Sequence, residues 1–232
     1  MRPQGPEVPD WQPPGTDFQT LTGRYARLTP LVPADAPALH AANAGEVPMW
    51  DYLYVGPFAT LDAYATWVGQ AAEDPGNFFY AVTDLEAGAP GGVASYLRIS
   101  PEAGSIEVGN IAFSPGLQRT RAATEAMALM MTWAFAAGYR RYEWKCNALN
   151  RPSRRAAQRL GFSYEGTHRQ AAVVKGRNRD TAWFSILNTE WPALREAFDV
   201  WLAPENFDTD GRQRQALSDL TRPLVCQPDD PG

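Results

Sequence analysis

The stretch SPGLQRTRAATEAM, Ser114 to Met127, decides how the chain is read. It follows an apolar run, IEVGNIAF (Ile106–Phe113), turns through Pro115-Gly116, and opens an alanine-rich helix with Gln118, Arg119 and Arg121 at its start. Cations are disfavoured at a helix N-terminus, where unpaired N–H groups already form a positive end. A strand, a tight turn and a helix with small Ala122 and Ala123 in its first turn make an anion cradle, because backbone N–H groups point outward and no bulk blocks a phosphate. The same stretch also fits a plain strand–helix turn with solvated arginines.

Working outward, RYARLTPL (Arg24–Leu31) alternates like a first strand, DAPALHAAN reads as a short helix, and LDAYATWVGQAAED (Leu61–Asp74) as a second helix capped by Thr60. NFFYAVTD and GGVASYLRI read as strands, and the second should form a hairpin with IEVGNIAF. The long helix ends at Gly138. RRYEWKCN is the next strand and NRPSRRAAQRLGF a helix stopped by Gly161. FSYEGTHRQAAVV and DTAWFSIL flank the turn KGRNR, and EWPALREAFDVWL is a C-terminal helix. The expected fold is a mixed α/β (α+β) domain, a twisted sheet of about seven strands with helices on both faces. Its expected bounds are 21–202, after a Pro-rich arm (1–20) docked by Trp11 and before a polar tail (203–232). The Rossmann alternative would need GxGxxG and strict alternation.

Composition narrows the function classes. In 232 residues, 44% hydrophobic, there are two cysteines (Cys146, Cys226) and two histidines (His40, His168). That is too few for a disulfide framework or a metal cluster, so no metal is expected. A net charge of −5 argues against general nucleic-acid binding. No apolar run is long enough for a membrane span and no signal peptide is visible, so a cytoplasmic location is expected.

From Arg24 to Leu202 the chain resembles the GNAT superfamily of N-acetyltransferases, in the branch similar to the RimJ/RimL ribosomal-protein acetyltransferases. Gln118-Arg119-Thr120-Arg121-Ala122-Ala123 stands where the family has its acetyl-CoA motif Q/R-x-x-G-x-G/A, with Arg121 at a position usually held by glycine. Asn150 and Ser153, then Gly161-Phe162 and Glu165-Gly166, resemble the branch signature N-x-x-S…GF-x-x-EG. The resemblance implies acetyl transfer from acetyl-CoA to an amine in a ternary complex. Pantetheine would lie between the splayed strands IEVGNIAF and RRYEWKCN, along Ile111, Ala112 and Phe113. The pyrophosphate would take N–H groups from Gln118, Arg119, Thr120, Arg121, Ala122, Ala123 and Thr124, with Asn150 and Ser153 completing the cofactor site.

The chemistry needs a base for the amine and an acid for the departing thiolate. Glu107, on a strand among apolar or small neighbours, is the candidate base, since partial burial raises a carboxyl pKa; Glu165 is a second. The tyrosine that many family members use falls at Ala157, which leaves Ser153 as the candidate acid, although Asn150 and Ser153 also fit a plain helix N-cap. Cys146 is an alternative nucleophile with no histidine near it in sequence, and buried strand cysteines are usually inert. Asp180 is assigned to the final hairpin turn. Trp50, Asp51, Tyr52 and Tyr54 form an aromatic loop expected to border the acceptor, a small-molecule or peptide amine, with Asp51 holding a cationic group. The protein is expected as a monomer or homodimer. Two other readings stay open: a catalytically silent acyl-CoA-binding or regulatory module, and a phosphate-binding sheet domain with another nucleotide ligand.

Overall fold

The computed structural model describes residues 2–9, 11–45 and 48–229. One sheet runs in the order β1 (Leu21–Thr22), β2 (Ala26–Pro30), β3 (Phe78–Asp84), β4 (Pro90–Ser100), β5 (Ser105–Phe113), β6 (Arg141–Asn147), β8 (Arg177–Leu187) and β7 (Ser163–Val174). Every neighbouring pair is antiparallel except β5–β6, which is parallel. The eighth strand beyond the expected seven is β1, two residues paired to Arg27 and Leu28. Its turn is held by a buried carboxylate: Glu125 accepts the N–H groups of Arg24, Tyr25 and Ala26 at 2.9, 2.6 and 2.7 Å. The first strand read from Arg24 therefore begins at Ala26, because the two preceding N–H groups go to a side chain.

Helices cover both faces. On one, α3 (Arg121–Ala136), α4 (Arg151–Arg159) and α5 (Trp191–Leu202) share a core with Ile106, Val108, Tyr142 and Phe184. On the other, α1 (Ala36–Ala42) and α2 (Leu61–Ala72) bury Leu39, Tyr64 and Val68 against Phe79, Ala81 and Val93. Local signals act as read: Thr60 accepts from Ala63 N at 3.2 Å, Asn150 accepts from Ser153 N at 3.1 Å, and Gly138 and Gly161 end their helices at φ +100° and +93°. A Cβ at Gly161 would also collide with Leu194.

The β7–β8 connection is shorter than the expected KGRNR turn. Only Lys175 and Gly176 lie outside the strands, both at positive φ, the geometry of a tight two-residue hairpin. Asp180 is not a turn residue: its carboxylate accepts Gln170 N and Asn178 Nδ2, pinning a bulge in β7 where Gln170 takes φ +50°.

The N-terminal arm is anchored by Phe18 as well as Trp11. Phe18 stacks on Phe78 and packs on Trp133, both at 4.7 Å between ring centres, while Trp11 lies against Gly104. After Leu202 the chain stays on the domain. Phe207 and Leu217 are buried, α6 (Leu217–Thr221) packs on α5, and Asp229 binds Arg154 at 2.5 and 2.8 Å.

Candidate active site

Parallel pairing of β5 with β6 runs from Ser105↔Arg141 to Val108↔Trp144 and stops. The cause is a bulge. Asn110 adopts φ +50°, donates from Nδ2 to Ser95 Oγ at 2.9 Å, and Ser95 donates to Gly109 O at 3.3 Å. Side-chain alternation shifts there: Ile106 and Val108 face the α3 core, yet beyond the bulge Ala112 belongs to the opposite core. Past Trp144, β6 pairs only with β8. The edge of Ile111, Ala112 and Phe113 that faces β6 thus has no strand partner among the described residues, and a slot opens between the strands.

The opening stretch forms the floor of that slot. Arg119 takes φ +65°, and Thr120 caps α3 by accepting from Ala123 N at 3.0 Å. Gln118 N, Thr120 N and Thr124 N bond to Ser114 O, Leu117 O and Thr120 O. Of the run expected to bind pyrophosphate, the N–H groups of Arg119, Arg121 and Ala122 have no partner among the described residues. The Arg121 side chain does not fill the cradle. Its guanidinium lies over Tyr25 at 4.8 Å and Phe207 at 5.0 Å, and 3.7 Å from Glu86. Aromatic faces hold the cation that the helix end disfavours.

Glu107 sits where the strands part, 1% exposed. Its Oε2 lies 3.3 Å from Arg98 Nε and 3.4 Å from Lys145 Nζ, without an aligned hydrogen bond to either. Burial pushes its pKa up to about 7, against the opposing pull of Lys145 and Arg98. A Cβ at Gly109 would come 2.9 Å from Leu97 and 3.4 Å from Glu107 Oε1, so glycine keeps the space beside the carboxylate clear. Arg98 reaches the site from a bulge in β4, at φ +47°.

Ser153 stands on the other face of the sheet. Its Oγ accepts the Trp144 indole N–H at 3.1 Å, leaving the hydroxyl proton to donate elsewhere. Asn150 caps α4 and orients Ser153 through its backbone. Cys146, on the same face of β6 as Trp144, is buried, and burial pushes its thiol up to about 11, so it is not a thiolate near neutral pH. Glu107 and Ser153 are therefore not neighbours: they flank the slot from opposite faces.

The aromatic loop bridges to the β7–β8 hairpin. Trp50 is buried and packs edge-on to Phe58 and Tyr64. Lys175 Nζ donates to Trp50 O at 2.6 Å and Val55 O at 3.1 Å, and Arg179 donates to Tyr52 O at 3.2 Å while stacking on Tyr54 at 4.6 Å. Asp51 is exposed. Trp50 is thus a core residue of the loop, and Tyr52, Tyr54 and Asp51 form its outer part. Glu165 is tied to Arg141 by two bonds of 2.6 and 2.5 Å and accepts from Ser185 at 2.6 Å; Arg141 holds its pKa below the ordinary value, the opposite of what a base needs.

Sequence reading missed Arg98, Lys145, Trp183 and Arg179 as site residues. Arg98 and Lys145 lie over the Trp183 ring at 5.1 and 5.3 Å, and a cleft of 330 Å³ runs along Arg98, Arg141, Glu165, His168 and Trp183. Only the alternation of Lys145 with Cys146 on β6 hinted at this face. Among the described residues no His, Cys, Asp or Glu cluster could hold a metal, and no helix is long and apolar enough to cross a membrane.

The chain as a whole has relatives among known proteins. A family profile described as the acetyltransferase (GNAT) domain matches residues 26–163. The chain belongs to the GNAT acetyltransferase family. A GCN5-related N-acetyltransferase from Brucella melitensis is 44% identical, with a TM-score of 0.90 over 93% of this chain and 100% of that one. A probable GNAT acetyltransferase from Chromobacterium violaceum ATCC 12472 is 39% identical, with a TM-score of 0.78 over 83% of this chain and 98% of its own. An acetyl transferase of Salmonella typhimurium, described as modifying the N-terminal serine of ribosomal protein L7/L12, shares the fold at 19% identity, TM-score 0.63, covering 73% of this GNAT chain and 99% of its own. No curated protein matches the chain.

Proposed function

We propose that this GNAT protein transfers an acetyl group from acetyl-CoA to a primary amine by direct attack in a ternary complex, as a cytoplasmic monomer or homodimer. The observation that carries the reading is Glu107, a buried carboxyl with a pKa near 7 at the point where β5 and β6 part. An acceptor amine is an ammonium ion at neutral pH and must lose a proton before it attacks; a base titrating near the working pH does this best. Acetyl-CoA supplies the activated acyl group, and the residues present fit it. The N–H groups of Arg119, Arg121 and Ala122 suit a diphosphate, and the β5 edge at Ile111–Phe113 suits the amides of the pantetheine arm. Ser153 donates a hydrogen bond to the departing thiolate from the far face, in place of the tyrosine absent at Ala157. Held together in the slot, donor and acceptor gain roughly 7–11 kcal/mol from positioning alone.

The silent-module reading loses one of its grounds, because Arg121 is parked on Tyr25 and Phe207 and not in the cradle. The test is calorimetric titration with acetyl-CoA, CoA and ATP, followed by an amine screen read by thiol release. Binding of acetyl-CoA over ATP, with release that needs an amine, is the expected result. Binding without amine-dependent release would favour the silent module, and a preference for ATP would overturn the cofactor.

A further inference from the structure

Helix α4 reads RPSRRAAQR, with arginine at four positions and no acid. Arg151, Arg155 and Arg159 recur at i, i+4 and i+8, a row in which like charges repel. The row also begins at a helix end that disfavours cations. Arg154 is set apart from it by its pair with Asp229. Arg151 and Arg155 are exposed, and no member of the row meets a carboxylate among the described residues.

Arg159 is the member that turns toward α3. Its Nη1 donates to Thr124 Oγ1 at 3.2 Å, and its guanidinium lies over the buried Trp201 ring at 5.0 Å. Burial lowers its pKa, and no carboxylate opposes that pull. Its other N–H donors have no acceptor among the described residues. Thr124 stands in the first turn of α3, two residues and roughly 3 Å along the axis from Ala122, whose N–H group is likewise without a partner among the described residues. A seated guanidinium without a counterion thus adjoins the positive end of α3. Two positive groups side by side are stabilised together by an anion.

We infer that Arg159 binds the 3′-phosphate of coenzyme A, so that the protein selects the coenzyme over its dephospho form. This rests on the acetyltransferase reading above. The N–H groups of Arg119, Arg121 and Ala122 suit the diphosphate. Coenzyme A carries one further phosphate, a single ribose away from that diphosphate, and a guanidinium within one helical turn of those N–H groups suits the spacing. The planar fork of arginine also matches phosphate oxygens. Arg155 and Arg119, both exposed, add positive field from the solvent side. Trp201 gives Arg159 a fixed seat, because its own indole N–H is held by Gln213 Oε1 at 2.9 Å.

Calorimetric titration compares coenzyme A with 3′-dephospho-coenzyme A on the parent, Arg159→Gln, Arg159→Lys and Arg195→Gln, the last an equal charge change on an exposed part of α5. The parent is expected to bind coenzyme A about 10- to 100-fold more tightly, the worth of a charge-assisted hydrogen bond. That ratio falls toward one in Arg159→Gln, is kept in part in Arg159→Lys and is unchanged in Arg195→Gln. The ratio is the readout because looser packing of α4 or Trp201 would weaken both nucleotides alike. Equal affinities in the parent, or an undiminished ratio in Arg159→Gln, would overturn the inference. Failure of the parent to bind either nucleotide would instead strike the acetyltransferase reading itself.

Discussion

Lys145 Nζ lies 3.4 Å from Glu107 Oε2, on the first β6 residue beyond its parallel pairing with β5. An ammonium at that distance favours the ionised carboxylate, yet Glu107 still titrates near 7, so burial outweighs the ion pair. The base is therefore poised, neither locked in its charged form nor held neutral.

Glu107→Gln is expected to lower kcat about 100- to 10,000-fold. In the unchanged protein kcat/KM should rise with pH through about 7, and that limb should vanish in the variant. Stability follows the opposite course. The folded-state pKa is above the ordinary 4.5, so the unfolded chain binds fewer protons between these values. The stability linked to this group is present below about 4.5 and is lost as pH rises through 7. Melting curves at pH 8 should accordingly show Glu107→Gln no less stable than the parent, and a clear loss would contradict the burial argument.

Ser153→Ala should reduce turnover by tenfold or more while acetyl-CoA affinity, measured by calorimetry, changes little. The variant also leaves the buried Trp144 indole N–H without its partner, a cost of about 1–3 kcal/mol in urea unfolding. Full turnover would remove Ser153 from the chemistry.

Arg121→Ala removes a cation stacked on two rings and should cost about 0.5–2 kcal/mol of stability. Because the cradle is made by backbone N–H groups, acetyl-CoA affinity should weaken by less than tenfold. A larger loss would mean that the guanidinium swings in to contact the diphosphate.

Cys146→Ala should keep most of its activity, and a small alkylating reagent at pH 7.5 should label Cys226 and spare Cys146. A covalent acetyl group trapped on Cys146 would replace direct attack with a two-step route.

Glu125→Ala strips the N–H groups of Arg24, Tyr25 and Ala26 of their acceptor and should destabilise the fold by roughly 2–4 kcal/mol. Gly23→Ala should fail similarly, since its Cβ would overlap the same carboxylate. A change below 0.5 kcal/mol in either variant would show the clamp to be dispensable.

Element types were legible in the chain because each carries its own local signal. Caps at Thr60 and Asn150, glycine stops at Gly138 and Gly161, and alternation in RYEWKCN each act within a few residues. Together with the run from Gln118 to Ala123 and the Asn150…Glu165 signature, they placed the fold and the family. What lay beyond local reading is what depends on partners distant in sequence. Glu125 is about a hundred residues from the N–H groups it binds, so neither β1 nor the later start of β2 could be foreseen. Nor could the placement of Arg121, a cation at a helix start and at a position the family usually gives to glycine, because the rings that hold it come from residues 25 and 207.

By itself the sequence determined the type and order of the main strands and helices, since backbone propensity, capping and periodicity are properties of neighbouring residues. Only the tertiary structure decided which charges meet. The bulge at Asn110 flips the side-chain alternation of β5, a left-handed Arg98 reaches Glu107 from β4, and Lys145 and Trp183 arrive from strands paired on the other side. A carboxyl's proton affinity is set by the medium and charges within a few ångströms of it, and for Glu107 those charges come from strands that only folding brings together.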